Sequence, residues 1–273
     1  MTPIDFDGQF SRWLRGFLEE NQDRFEDIGQ LETMMPQLYE RFVQTPADWL
    51  SGLAPERYFD GQSADSLVTM IESYLAAEVQ VPELLLDAIV DEGARARDAL
   101  VALIADVAAA HEARLMAVNL LREMELPQPT DLYISWQLDR ALDDELADCA
   151  LEGLEAAGEA VLPALMEALP QAGEAGQEAL LSILSRYPEE PGVYEALIRL
   201  FDAVPGRTAV LAAYLGRLGD ERALPLLTAR AVSPELSYLD YIELRSAIEA
   251  LGGEVPEREF DDDPAYRALG GME

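Results

Sequence analysis

Lysine is absent from the 273-residue chain, and all 19 of its basic residues are arginines. Without lysine there is no Schiff-base nucleophile, no amine general base and no P-loop, so those enzyme classes are closed. Histidine and cysteine occur once each, as His111 and Cys149. One cysteine cannot form an internal disulfide, and one histidine with no cysteine at ligand spacing excludes a zinc site or a serine triad. No apolar run approaches the roughly 18 residues a membrane span requires. The richest stretch, Leu100 to Ala110, is broken by Asp106. The opening Met1-Thr-Pro-Ile-Asp-Phe-Asp7 has neither the basic nor the apolar part of a signal peptide, so a soluble, cytoplasmic chain with no membrane contact is expected.

Positive charge is scarce throughout. The 53 acidic residues give a formal charge of −34, and the arginines are dispersed rather than clustered, so nucleic acid should be repelled. The same field would speed encounter with a basic protein or peptide, or simply keep the surface solvated. With 49% hydrophobic residues the chain can still bury a continuous core and is not disordered.

What the sequence has in abundance is repetition. Val161 to Leu169, Gly192 to Leu200 and Ala223 to Ala231 follow one another at a step of 31 residues. In that register Leu162, Val193 and Leu224 align, then Leu165, Ala196 and Leu227, then Met166, Leu197 and Thr228, then Leu169, Leu200 and Ala231. The offsets i, i+3, i+4, i+7 describe one face of a helix. A second helix repeats too: Leu180, Ile183, Leu184 and Tyr187 map onto Leu211, Tyr214, Leu215 and Leu218, and after a two-residue insertion onto Leu244, Ala247, Ile248 and Leu251. Gly219 and Gly252 supply positive-φ helix ends, and Ser233-Pro234 reads as an N-cap followed by proline at the first helical position. Upstream, Ala117, Val118 and Leu121 precede Ala150, Leu151 and Leu154 by 33. Five helical hairpins result, at 98–124, 131–157, 160–187, 191–218 and 222–252. Neither helix of such a pair can bury its stripe alone, so successive pairs are expected to stack.

Leu218-Gly-Asp-Glu-Arg-Ala-Leu-Pro-Leu-Leu227 resembles the short HEAT-like repeat, of the kind found in phycobilin lyases, in which Gly-Asp ends one unit and a Leu-Pro helix opens the next. The resemblance implies an all-α fold, an α-α superhelix or solenoid of HEAT-like hairpins over residues 96–252. It implies little about activity, because the family includes scaffolds, adaptors, lyases and DNA glycosylases. Glu189-Glu-Pro-Gly192 departs from the pattern, since the Gly-Asp turn is missing there.

Residues 1–95 fall outside the period but read as a helical cap on the array. Phe10, Trp13, Leu14, Phe17 and Leu18 form one apolar stripe, and Leu38, Tyr39, Phe42 and Val43 another. Thr45-Pro-Ala-Asp48 has the pattern that opens a helix, here one carrying Trp49 and Leu50, and further helices are expected near 63–78 and 82–91. Residues 253–273 read as an acidic tail whose Phe260 and Tyr266 fold back on the last hairpin.

Catalytic signals are weak. His111 reads as a helix-terminal residue and Cys149 as a small helix residue aligned with Ala179 and Val210. Asp143-Asp-Glu145, Asp261-Asp-Asp263 and Asp5-Phe-Asp-Gly8 are acidic enough to suggest a cation, but none has a full ligand set, and neither metal nor cofactor is expected. Gly216, Gly219 and Gly270-Gly271 make no phosphate cradle. What a solenoid would present is its concave face, lined by the outward positions of the second helices: Asn119, Arg122 and Glu123, Glu152 and Glu155, Ser182, Ser185 and Arg186, Ala213 and Arg217, Ser246 and Glu249. Arg186 and Arg217 should stack on adjacent rungs, either holding a ligand carboxylate or phosphate or pairing with neighbouring glutamates. Arg199 and Arg230 read as a convex-side pair. The expectation is a non-enzymatic protein-protein interaction module or scaffold that binds a protein or peptide, preferably basic, on the concave face. The alternatives are a small-molecule carrier or lyase-like enzyme with a deep groove lined by Tyr187 and Tyr214, and more remotely a DNA-binding protein, which the charge opposes.

Overall fold

The computed structural model describes residues 2–21, 28–255, 257–261 and 263–270. Over these the protein is all-helical, with no β-strand and a single isolated bridge between Ala47 and Leu53. Pro256, Asp262 and Gly271 to Glu273 of the expected acidic tail lie outside the described residues. The chain divides into two compact units, Met1–Gln128 and Pro129–Glu273.

In the first unit α1 (Phe6–Glu20) and α2 (Ile28–Gln44) pair through their aromatic stripes. Phe10 meets Tyr39 edge-on at 5.1 Å and Phe42 at 5.3 Å, while Trp13 stacks on Phe17 at 5.4 Å. Helices α3 (Ala64–Ala76) and α4 (Glu83–Glu92) follow near the expected positions, α3 capped by the Ser63 hydroxyl, which accepts the Ser66 N–H. Helices α5 (Arg97–Ala105) and α6 (His111–Glu123) form the first expected hairpin and pack on α3.

Thr45-Pro-Ala-Asp48 does not open a helix. The Thr45 hydroxyl instead donates to the Arg41 carbonyl at the end of α2. Only one 3₁₀ turn forms, Asp48–Leu50, because Ser51 and Gly52 both adopt positive φ (56° and 86°) and reverse the chain, so that the Ala47 N–H reaches the Leu53 carbonyl.

The second unit contains the other four hairpins: α7 (Thr130–Leu138) with α8 (Glu145–Ala156), α9 (Leu162–Ala168) with α10 (Glu174–Leu184), α11 (Val193–Ala203) with α12 (Thr208–Leu218), and α13 (Leu224–Ala231) with α14 (Tyr238–Ala250). Pro163 and Pro225 stand in the first turns of α9 and α13, where the missing N–H costs nothing. The repeating apolar positions are the core. Leu165, Ala196 and Leu227 are buried, as are Leu169, Leu200 and Ala231, and in the second helices Leu180, Leu211 and Leu244. Each such leucine contributes about 1.5–3 kcal/mol relative to an exposed one. Successive hairpins share this apolar layer, since α10 packs on α7, α8 and α12, and α12 packs on α14.

Ser233-Pro234 does not start α14. The cap is Ser237, whose hydroxyl accepts the Asp240 N–H and donates to the Asp240 carboxylate at 2.7 Å. Ser233 and Pro234 instead present their carbonyls to the Arg258 guanidinium. The C-terminal aromatics do fold back. Phe260 is buried against Tyr238 (5.4 Å) and Tyr241 (5.0 Å), and Tyr266, on the short α15 (Pro264–Gly270), meets Tyr238 at 5.0 Å. Asp263 fastens this segment: one carboxylate oxygen accepts the N–H of Tyr238 at the start of α14, the other those of Ala265 and Tyr266, and these bonds hold its pKa below the usual carboxylate range.

Two glycines mark where helices touch backbone to backbone. A Cβ on Gly176 of α10 would lie 2.0 Å from the Gln137 carbonyl oxygen, and one on Gly216 of α12 would lie 2.9 Å from Cα of Ala247 on α14. Gly16 on α1, by contrast, has nothing within 4 Å of an added Cβ. Gly176→Ala should therefore lower stability by about 1–3 kcal/mol, as overpacking does, whereas Gly16→Ala should raise it by about 0.5–1 kcal/mol. Urea titrations of the two variants check both signs.

Candidate functional site

Six of the eight residues expected to matter most on the inner stripe fall in the second unit. Glu152 and Glu155 are exposed on α8, half-buried Ser182 and exposed Arg186 lie at the end of α10, Arg217 is exposed on α12 and Glu249 on α14. Asn119 and Arg122 lie on α6 in the first unit, where Arg122 donates to the Asn119 side chain at 3.1 Å. Ser185 does not belong to the surface. It is fully buried, and its hydroxyl donates to the Ser182 carbonyl, because the last turn of α10 rotates it inward.

The arginines of this stripe are spoken for within the protein. Arg186 pairs with Glu155 of the preceding hairpin. Arg217 donates to the Ser182 carbonyl at 3.1 Å and lies over the Tyr214 ring, 5.3 Å from its centre. Arg245 pairs with Glu249 one turn away on α14 at 2.7 Å. Beside them Arg207 makes a two-pronged bond to Glu178, across 29 residues, which raises the guanidinium pKa from its ordinary value. Tyr214 sits between, half-buried and within hydrogen-bonding reach of Ser182, its phenol pKa raised by that burial. Across the next step the Asp240 carboxylate accepts the Ala209 N–H at 3.2 Å. Apart from the Arg245–Glu249 pair, which lies within α14, these links run from one hairpin to its neighbour and tie the hairpins in register.

Arg199 and Arg230 do not form a pair. Arg230 lies over the Phe201 ring at 5.0 Å and reaches the Thr208 hydroxyl, while Arg199 bonds the Glu195 carbonyl on its own helix. The acidic clusters have structural roles as well. Asp5 caps α1 through the Gly8 N–H, Asp144 caps α8 through the Ala147 N–H, and Asp263 caps α15. Among the described residues no group of three or more His, Cys, Asp or Glu could hold a metal ion, and no helix is long and apolar enough to cross a membrane. His111 is the exposed first residue of α6, and Cys149 is half-buried on α8.

The second unit has a groove elsewhere, along the first helices of two successive hairpins. This groove, of about 920 Å³, opens between α9 and α11, with Met166, Leu169 and Pro170 on one side, Tyr194, Ile198 and Ala203 on the other, and Glu174, Gln177, Glu195 and Arg199 as its polar lining. Neither Tyr187 nor Tyr214 lines it. A smaller cavity of about 250 Å³ continues past Glu174 and Leu200 toward Arg207. The walls converge at Gly192, whose φ of 89° admits glycine and where an added Cβ would stand 3.3 Å from the Met166 methyl. Tyr194 is clamped at the edge by Arg222, which lies 3.9 Å over its ring and pairs with Glu195 at 3.1 Å and with Asp220. The repeat register missed this groove, although one signal marked it: Glu189-Glu-Pro-Gly192, where the repeat loses its Gly-Asp turn, leads directly into the wall.

A second feature lay beyond sequence reasoning. Gln137, fully buried, donates to the Tyr133 and Ala147 carbonyls and accepts from Arg140, whose side chain is 5% exposed and also pairs with Asp148. This network closes the α7–α8 loop. Comparison of the chain with protein-family models, with curated proteins and with solved structures finds no match.

The two principal cross-hairpin ion pairs differ in solvation. Glu178 is 13% exposed beneath Arg207, whereas Glu155 and Arg186 are both more than 40% exposed. Double-mutant cycles should therefore give about 1–2 kcal/mol of coupling for Glu178 with Arg207 and under about 0.5 kcal/mol for Glu155 with Arg186. Equal couplings would contradict this ranking.

Proposed function

We propose that the protein is a non-enzymatic interaction module, a solenoid of HEAT-like hairpins that holds a segment of a partner protein in the groove between α9 and α11. The observation that carries the reading is the groove itself, about 920 Å³ with a largely apolar floor and a polar rim. Large apolar concavities with a few convergent polar groups are the usual sites of recognition. The inner stripe supports the reading differently. With Arg186 tied to Glu155 and Arg217 to the Ser182 carbonyl, it joins α8, α10 and α12, the second helices of successive hairpins. Residues 1–95 then act as the helical cap of the array.

Nothing in the groove suggests bond-making chemistry. Its ionisable lining residues are Glu174, Glu195, Arg199 and Tyr194, and the clamp on Tyr194 and Glu195 is occupied by Arg222. Selection of a displayed random-peptide library on the purified protein tests the proposal. Enriched peptides should lose binding to Ile198→Asp and to Ala203→Arg variants that retain the wild-type circular dichroism spectrum and melting temperature. If no peptide depends on these two positions, the groove is not the binding surface.

A further inference from the structure

Resting on that reading, we propose that the occupant of the α9–α11 groove is a single basic amphipathic helix from the partner. Three features of the groove point to its shape and charge.

The first is the absence of backbone partners. Both walls are helical, so their N–H and C=O groups bond within their own helices and no strand edge is available for an added strand. Among the described residues no buried side-chain nitrogen or oxygen lacks a partner, and the one amide of the lining, Gln177, already donates to the Ala172 carbonyl. An extended peptide would bury its own backbone polar groups against Met166, Leu169 and Ile198 with nothing to bond them. A helix brings its backbone bonds with it.

The second is dimension. The α11 wall runs over 11 residues, about 16 Å at 1.5 Å per residue, which matches three turns of a guest helix with an i, i+3, i+4, i+7 stripe. Met166 on the opposite wall is unbranched and can repack around side chains of different shape.

The third is charge. Between Gly158 and Ala203 the sequence places eight carboxylates against two arginines, Arg186 and Arg199, and no lysine or histidine. Arg186 is neutralised by Glu155, and Glu178 and Glu195 in turn by Arg207 and Arg222, which leaves six carboxylates against Arg199. Glu174, at the start of α10, lines the groove as an unpaired carboxylate beside Arg199 and the Glu195–Arg222 pair, so the field that a guest meets comes mainly from the surrounding acidic surface. Cations flanking the apolar stripe of a guest helix meet this field, whereas an acidic helix would be repelled and nucleic acid excluded.

The test uses three fluorescein-labelled synthetic peptides of about 18 residues, long enough to form helix on binding: a leucine–lysine amphipathic helix, its leucine–glutamate counterpart, and a scramble of the first with no apolar stripe. Fluorescence anisotropy with the full chain at low salt should give at least tenfold tighter binding of the first than of either other. Its affinity should fall as salt rises, and its helicity should increase on binding. Ile198→Asp, or Ala203→Arg should the first variant unfold, should weaken it at least tenfold, and Leu239→Asp on exposed α14 surface should not. Equal binding of the scramble, or binding unaffected by both groove variants, overturns the inference. Library peptides that depend on the groove yet are acidic, or that bind without becoming helical, would overturn it while leaving the interaction-module reading intact.

Discussion

The stripe of leucine and alanine that each helix of the second unit must bury is the constraint on which the rest depends. No hairpin has enough partner surface to cover its own stripe, so α10 is wedged among α7, α8 and α12, and α12 lies against α14. Sharing a buried layer in this way leaves little freedom in register, because a slip along a helix would move Leu180, Leu211 or Leu244 out of contact. The close approaches at Gly176 and Gly216 follow from the same requirement, since larger residues would hold the layers apart.

Polar chemistry is arranged around that layer rather than within it. Glu155 with Arg186, Glu178 with Arg207 and Asp240 with the Ala209 N–H each tie one hairpin to the next. In a chain with so few cations, committing several arginines to such ties leaves the remaining surface strongly acidic. Register and surface charge thus have one origin.

Much of the helical architecture was legible in the sequence because its signal is periodic. A step of 31 residues placed α9, α11 and α13, and the companion stripe placed α10, α12 and α14, with Leu165, Ala196 and Leu227 buried as one row. What was not legible depended on single bonds. Ser233-Pro234 looks like the start of α14 until the Ser237 hydroxyl is found accepting the Asp240 N–H. Thr45 looks like a cap until its hydroxyl is found bonded to Arg41. The inner stripe was located by position, but whether Arg186 and Arg217 face a ligand or their neighbours is decided by side-chain reach, which periodicity does not encode. The groove escaped because it arises where the repeat is broken, at the turn before Gly192.

Asp263 has a consequence for how the molecule comes apart. By accepting three backbone N–H groups, one from α14 and two from α15, it staples this segment to the last hairpin beside the buried Phe260 and Tyr241. Fraying from that end must therefore give up the whole staple in one event.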